Sequence, residues 1–495
     1  MVNKLYIFKN KNIVVKRIKI GDKKMKKIVK TTLIMMMLII STNIYIVNAN
    51  VATNNDEDFK IEIIGPTDDF LLESKTFYVD DDGIADFTSI QSAINAAEEY
   101  DTVFVYAGIY NEDIYIERPV YLRGEEKETT IINGTGEDNV VTIVGNYIEI
   151  SNFTIQNSNK SGYNPHYYWS GIEISFDEGK GNYNKIESCI VKDNNNGICL
   201  KGNMKENEFI DNIVKNNSYY GIFFQGNAYG VDDILFSGNT VMDNGYIGIE
   251  LGVGKNNTLE NNDIKNSGYA GIRLSKQKNL IIISNTIQNN DRYGICVDNA
   301  DNITINKNSI ISNDVGMEIR GHIKDIKISD NHLLDNPNFG IYIVEESGDI
   351  LITKNTIEYL LSSFNGNNYG VYIRDSSHIT LTNNEINHYR WGLYISNSSY
   401  VKVYKNTISN SNLGVYLYYC TLVNITCNNF VYNEKHAQFY IKDLSHRINV
   451  WDSNYWNRPR ILPMFIFGKK RHESYVRARF AIEIDWNPAL RPYLI

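Results

Sequence analysis

Gly271-Ile272-Arg273-Leu274, Asn285-Thr286-Ile287, Gly294-Ile295-Cys296-Val297, Asn308-Ser309-Ile310, Gly316-Met317-Glu318-Ile319: in this stretch two blocks alternate, each returning after 22 or 23 residues. One reads Gly-aliphatic-x-aliphatic, the other Asn-x-aliphatic. Outward from it, the glycine block also recurs at Gly171, Gly197, Gly221, Gly248, Gly340, Gly370, Gly392 and Gly414, and His436 takes the glycine place once more. The asparagine block runs from Asn239-Thr240-Val241 to Asn428-Asn429-Phe430. Three spacings are longer, 26 after Gly171, 27 after Gly221 and 30 after Gly340.

A fixed period of this length marks a solenoid. Within each period the apolar residues alternate with polar ones, which is the pattern of short strands with one face inward. Helical repeats would show a 3.6-residue periodicity, and none is present. Glycine and asparagine suit corners that need special backbone angles. If each period is one coil, like residues stack at about 4.8 Å and stacked asparagines can pass amide hydrogen bonds along the stack. The fold expected is all-β: a single-stranded right-handed parallel β-helix over Tyr78–Lys442, about 14 coils and about 70 Å long at that rise.

The open ends of such a rod need covers. At the front, Thr88-Ser89-Ile90-Gln91 resembles a capping box, and Ile90, Ala93, Ile94 and Ala97 fall on one helical face. The expectation is an amphipathic capping helix over Ser89–Glu99, then strands at Thr102–Tyr106, Asp113–Ile116, Val120–Arg123 and Thr130–Ile132. At the back, residues 443–495 read as a C-terminal cap holding Trp451, Trp456 and Trp486 and a basic set that includes Arg458, Arg460, Lys469 and Lys470. That set either packs on the acidic rod, the favoured reading, or meets an anionic polymer.

Charge is unevenly placed. The first fifty residues hold 11 Lys/Arg and one acid, Asp22, leaving 38 basic against 57 acidic residues beyond them, a net of −19. Such a balance argues against nucleic acid as a partner. Lys26, Lys27 and Lys30, the apolar run Leu33–Ile40 and the small-residue site Val47-Asn48-Ala49 give residues 1–49 the layout of a secretory signal. Met25 stands where such a signal would start, which marks residues 1–24 as a mis-chosen start. An uncleaved anchor is the other reading, though the apolar run is short for a span. Residues 50–77 form a lead-in. The expected location is extracellular or in the cell envelope, with no permanent membrane anchor once the signal is cleaved. Five cysteines, an odd number without a CxxC, read as buried or idle thiols, with Cys420–Cys427 or Cys189–Cys199 as possible pairs.

Tyr78-Val79-Asp80-Asp81-Asp82-Gly83, Asp86-Phe87-Thr88-Ser89-Ile90-Gln91-Ser92-Ala93-Ile94 and Val103-Phe104-Val105-Tyr106-Ala107-Gly108-Ile109-Tyr110-Asn111-Glu112 resemble the entry of pectin-lyase-like β-helix proteins. The Asn-x-Ile and Gly-Ile-x-Leu coils are similar to NosD-like (periplasmic copper-binding) repeats, also found in carbohydrate-binding and sugar-hydrolase modules. The resemblance spans residues 78 to about 457. It implies the fold and a setting among secreted surface proteins. The catalytic blocks of the superfamily are missing: Gly321-His322 and Asp232-Asp233 stand without the companions seen in polygalacturonases, and no pectin-esterase block is present. The copper role named for the family requires imidazole or soft ligands, and the eight histidines show no ligand spacing.

Two surface features stand out. Tyr342, Tyr372, Tyr394 and Tyr416 occupy the third place of the glycine block on four consecutive coils, where aromatic faces would point outward and stack on sugar rings or on one another. The aromatics just before the glycines, Tyr220, Tyr293, Phe339, Tyr369 and Trp391, read as corner packing. The second feature is a pair of acidic insertions, Asp177-Glu178 and Asp232-Asp233, two coils apart and therefore about 9–10 Å from one another. That separation suits an inverting glycosidase or a calcium site. No other cofactor is implied. The sequence thus favours a non-catalytic secreted or surface protein that binds a polysaccharide or cell-surface glycan through the tyrosines. An acidic-polysaccharide lyase or hydrolase is the first alternative and a metal-handling protein the second.

Overall fold

The structure is a computed structural model that describes residues 74–160, 169–175, 179–225, 230–360, 368–441, 449–472 and 475–493. The signal segment, most of the lead-in and the pair Asp177-Glu178 lie outside the described residues. Each coil turns through three faces. In one coil, for example, Asp301–Asn306 lies on the first face, Ser309–Ile311 on the second and Val315–Arg320 on the third. The next coil stacks on it in parallel, with Ile305 opposite Ile328, Ile310 opposite Leu333 and Met317 opposite Ile341. Among the described residues the second face has 15 such strands. Alternation decides which side is core: in Gly294-Ile295-Cys296-Val297, Ile295 and Val297 are fully buried inside the rod. Each such side chain contributes about 1.5–3 kcal/mol of apolar burial.

The corners differ from the sequence reading. One left-handed residue makes each bend, and it is seldom glycine: Ser284 and Asn289 flank one second-face strand at φ 57° and 54°, Lys307 and Ser312 the next at 54° and 52°. The glycines of the repeat serve another need. A Cβ on Gly294 would lie 2.6 Å from the carbonyl oxygen of Gly316 and 2.7 Å from Ile310 Cγ2. Close approach between coils, not a positive φ, excludes a side chain there.

The asparagine stack forms as expected. The backbone N–H and Nδ2 of Asn285 donate to Asn308 Oδ1 at 2.9 and 3.0 Å, and Asn308 repeats both bonds to Asn331. The ladder runs on through Asn355, Asn384, Asn406 and Asn428 to Asn454. A second column, with Asn290, Asn313 and Asn336, lines the next corner.

Both ends are covered. The helix spans Ile90–Ala96 with Ser89 as its N-cap, shorter than expected, and Ile90, Ala93 and Ile94 are buried. Gln91 does not close a capping box. Glu112 from the first coil accepts from Ile90 N–H, Gln91 N–H and Ser89 Oγ at 2.7, 3.1 and 2.8 Å. Gln91 instead pairs through its amide with the backbone of Tyr115, covering the open edge of the third face. At the far end, parallel stacking continues past Lys442: Val450–Asp452, Tyr455–Trp456 and Met464–His472 add a further coil. The lost glycine block and the long connection 457–463 conceal that coil from periodicity. Tyr475–Asp485 then folds back antiparallel, and Asp485 accepts from Asn454 N–H, Asn454 Nδ2 and Trp456 Nε1 at 3.0, 3.1 and 3.0 Å. An acceptor-only carboxylate thereby closes the donor end of the ladder.

Candidate functional site

The third face bears a regular row of outward side chains. Its strands place one residue outward between two inward aliphatics. Successive coils set Glu250, Arg273, Cys296 and Glu318 in one row, and the row continues directly into Tyr342, Tyr372, Tyr394 and Tyr416. The four sequence-singled tyrosines are therefore brought together. Their ring centroids lie 5.4, 4.8 and 5.1 Å apart in chain order, and each ring is half-buried.

Phe339, Tyr369 and Trp391 do not merely fill corners. They stack in a second row beside the tyrosines, with Phe339 at 4.6 Å from Tyr342, Tyr369 at 5.0 Å from Tyr372 and Trp391 at 5.3 Å from Tyr394. Seven rings form one shelf. Burial pushes the phenol of Tyr416 up to about 12 and those of Tyr342, Tyr369 and Tyr394 upward as well. These hydroxyls stay protonated and available as donors or acceptors. Arg374 lies over the Tyr342 ring at 5.9 Å.

The charged half of the row was not singled out from sequence. Glu250 pairs with Arg273 at 3.1 Å, while Arg320 sits between Asp298 at 3.5 Å and Glu318 at 3.7 Å. Burial pushes the Glu250 carboxyl up, while Arg273 and the Tyr220 hydroxyl hold it down. Cys296 contacts Glu318 at 3.5 Å, and burial with that neighbouring charge pushes its thiol up to about 12. A thiol so protonated is not a nucleophile. The signal for this half was present: these residues hold the same repeat place as the tyrosines.

The acidic insertion at Asp232-Asp233 lies elsewhere, at the first-face edge. Asp232 is in register with Lys205 and accepts from Lys255 N–H at 3.0 Å, with Lys255 Nζ at 3.4 Å. Asp233 accepts from Asn256 Nδ2 at 2.9 Å. Both carboxylates have structural partners. Among the described residues, Asp80, Asp81 and Asp82 bring three ligating oxygens within reach of one ion. They are hard donors suited to calcium rather than copper. All five cysteines are free thiols, so neither pairing considered forms.

The profile of the right-handed β-helix region matches residues 223–360 and 324–459, and that of the periplasmic copper-binding protein NosD matches residues 94–270. The chain belongs to the right-handed β-helix proteins. No curated protein matches its sequence. Among solved structures, this β-helix is similar to the A-module of a mannuronan C-5 epimerase from Azotobacter vinelandii at 16% identity, over 73% of this chain and 94% of that one, with a TM-score of 0.49. It is also similar to a family 28 exopolygalacturonase from Yersinia enterocolitica at 12% identity, over 71% and 78% of the chains, with a TM-score of 0.48. A mannuronic acid specific polysaccharide family 6 lyase from human gut microbiota follows at 13% identity, 77% and 86% coverage and a TM-score of 0.41. Likeness at this level carries no argument about chemistry.

Proposed function

We propose that this β-helix protein is an exported surface protein that binds a polysaccharide along the third face without turning it over. The single observation supporting this is the seven-ring shelf on consecutive coils, half-exposed and walled by Arg374. Phe339, Tyr342, Tyr369 and Tyr372 stack face to face on one another, so a sugar would meet their exposed edges, and the protonated phenols add hydrogen bonds at the rims. Export rests on residues 1–49, and terminal sequencing of the secreted protein is expected to begin after Ala49. A mature chain beginning before Asn48 would remove the cleaved signal from the reading.

Binding is tested by calorimetry with neutral and acidic oligosaccharides. Tyr372→Ala with Tyr394→Ala is expected to lower affinity at least tenfold without altering the far-ultraviolet spectrum. Unchanged affinity would reduce the shelf to a sheet-stabilising stack.

A second reading, turnover of an acidic polysaccharide, is supported by Glu250, whose carboxyl is raised by burial next to Arg273 on the same face. A reducing-sugar and unsaturated-product screen, run with and without calcium because of Asp80, Asp81 and Asp82, decides it. Product formation abolished by Glu250→Gln or Asp232→Asn would establish the enzyme reading.

A further inference from the structure

The strand pair that closes the far end turns one side to the rod and the other to solvent. On Met464–His472, Ile466 is buried in the core and Met464 packs against it, while Phe465, Phe467 and Lys469 alternate outward. On Tyr475–Asp485 the inward places go to Ala481, Glu483 and Asp485, and the two carboxylates accept from the indole N–H groups of Trp451 and Trp456. Ile482 and Ile484 stand opposite Phe467 and Phe465 across the pair. The end of the rod thus hides its acids and shows its apolar residues, the reverse of an ordinary solvent-facing surface.

The exposed set extends beyond the strands. Trp486, the residue that follows Asp485, is 66% exposed. In the connection that leads into the pair, Ile461 and Leu462 are 92% and 77% exposed. Apolar side chains gathered in water mark a surface that meets a partner. Charge says which kind. From Arg458 to Phe480 the sequence holds seven Lys or Arg and one acid, Glu473, in a chain whose remainder beyond residue 50 is acidic. Arg458 and Lys469 are exposed, and neither forms an ion pair among the described residues. These two cations therefore do not pack on the acids of the rod. Bare aliphatic and aromatic tips beside unpaired cations match an anionic bilayer, where the apolar groups enter the acyl boundary and the cations stay with the headgroups. The acidic remainder of the rod is repelled by the same headgroups, which leaves this end to approach. A second copy fits less well, because two-fold pairing of the same face would set its cations against their own like charges.

We propose that the terminal strand pair and the connection before it form a docking surface that seats this end of the rod on an anionic membrane, with Ile461, Leu462 and Trp486 inserted and Arg458 and Lys469 at the lipid phosphates. The contact is peripheral, made by side chains of two strands and a connection. It stands apart from the glycan-binding reading, although the two surfaces adjoin: Tyr418, Tyr440 and Lys469 follow one another in register past the end of the shelf.

The test uses the exported chain, with residues 1–49 absent from every variant, and vesicles of phosphatidylcholine alone or mixed equally with phosphatidylglycerol. Cosedimentation is expected to show binding to the mixed vesicles and at least tenfold weaker binding to the neutral ones. Trp486 reports insertion: tryptophan emission is expected to shift to shorter wavelength on the mixed vesicles, and Trp486→Phe to remove the shift while binding persists. Ile461→Asp with Leu462→Asp is expected to weaken mixed-vesicle binding at least tenfold without altering the far-ultraviolet spectrum or the melting temperature, because both side chains already stand in water. Arg458→Gln with Lys469→Gln is expected to bring mixed-vesicle binding down towards that of neutral vesicles. Binding indifferent to Ile461→Asp with Leu462→Asp, or an emission shift that survives Trp486→Phe, overturns the inference. Equal binding to both kinds of vesicle overturns the anionic assignment. Sedimentation velocity without vesicles decides the other occupant: dimers that form with rising concentration and are lost in Ile461→Asp with Leu462→Asp, together with no vesicle binding, assign the surface to a second copy and overturn the membrane. Tyr372→Ala with Tyr394→Ala keeps this surface distinct from the shelf. That pair is expected to leave vesicle binding within twofold, and a larger loss would move the lipid contact to the shelf and overturn the inference.

Discussion

At the scale of the residue, the two repeat letters have distinct physical reasons. Asn308 accepts two bonds from Asn285 and donates to Ile282 O, Asn306 O and Asn331 Oδ1, all in the buried corner. Asn308→Ala orphans several of these groups, each at about 1–3 kcal/mol. The expected loss is about 2–4 kcal/mol in urea titration. Gly294→Ala is expected to cost about 1–3 kcal/mol through overpacking against Gly316, with no change in local backbone angle. His436 adds a pH effect. Its folded value near 4 lies below the ordinary 6.5, so between those values the unfolded chain binds a proton that the folded chain does not. Its contribution is present above 6.5 and is lost as pH falls towards 4. His436→Gln should flatten the acid side of the stability profile, measured by thermal melts from pH 7 to 4. An identical slope in the variant would assign that slope to other groups.

At the scale of the element, the terminal strand is held by two carboxylates, Glu483 on Asn449 and Trp451 and Asp485 on Asn454 and Trp456. Asp485→Ala removes the acceptor for Asn454 N–H, Asn454 Nδ2 and Trp456 Nε1. Because each coil of a solenoid contacts only its neighbours, the damage is expected to stay local. Hydrogen exchange should accelerate in Val450–Asp452 and Tyr455–Trp456 and remain slow around Asn285. Uniform loss of protection along the rod would contradict that one-dimensional behaviour. Asp485→Asn keeps one acceptor and should fall between the two. The front helix depends on Glu112 in the same way, and Glu112→Ala should expose Ile90 and Ile94 to solvent by fraying its first turn.

At the scale of the whole molecule, the third face divides by charge and aromaticity along its length. Three carboxylates, Glu250, Asp298 and Glu318, stand against the guanidiniums of Arg273 and Arg320 in one half, and Tyr342 to Tyr416 forms the shelf in the other. A polymer laid along the axis would meet these regions in that order. Raising salt is therefore expected to leave binding of a neutral oligomer to the shelf unchanged, as titrations at 0.05 and 0.5 M salt would show. Loss of that binding at high salt would place the recognition on the charged half of the row instead.

The repeat alone determined the coil, its inward residues, the asparagine ladder and the four-tyrosine column. Each depends only on spacing, because a stacked coil puts residues one period apart in contact. What spacing could not carry was decided by tertiary structure. The charged half of the row stayed hidden because Glu250, Arg273, Cys296 and Glu318 share a place but not a residue type. Phe339, Tyr369 and Trp391 joined the shelf because two outward positions of one strand are neighbours in space. The last coil and the Asp485 closure escaped periodicity because they are made by residues that abandon it.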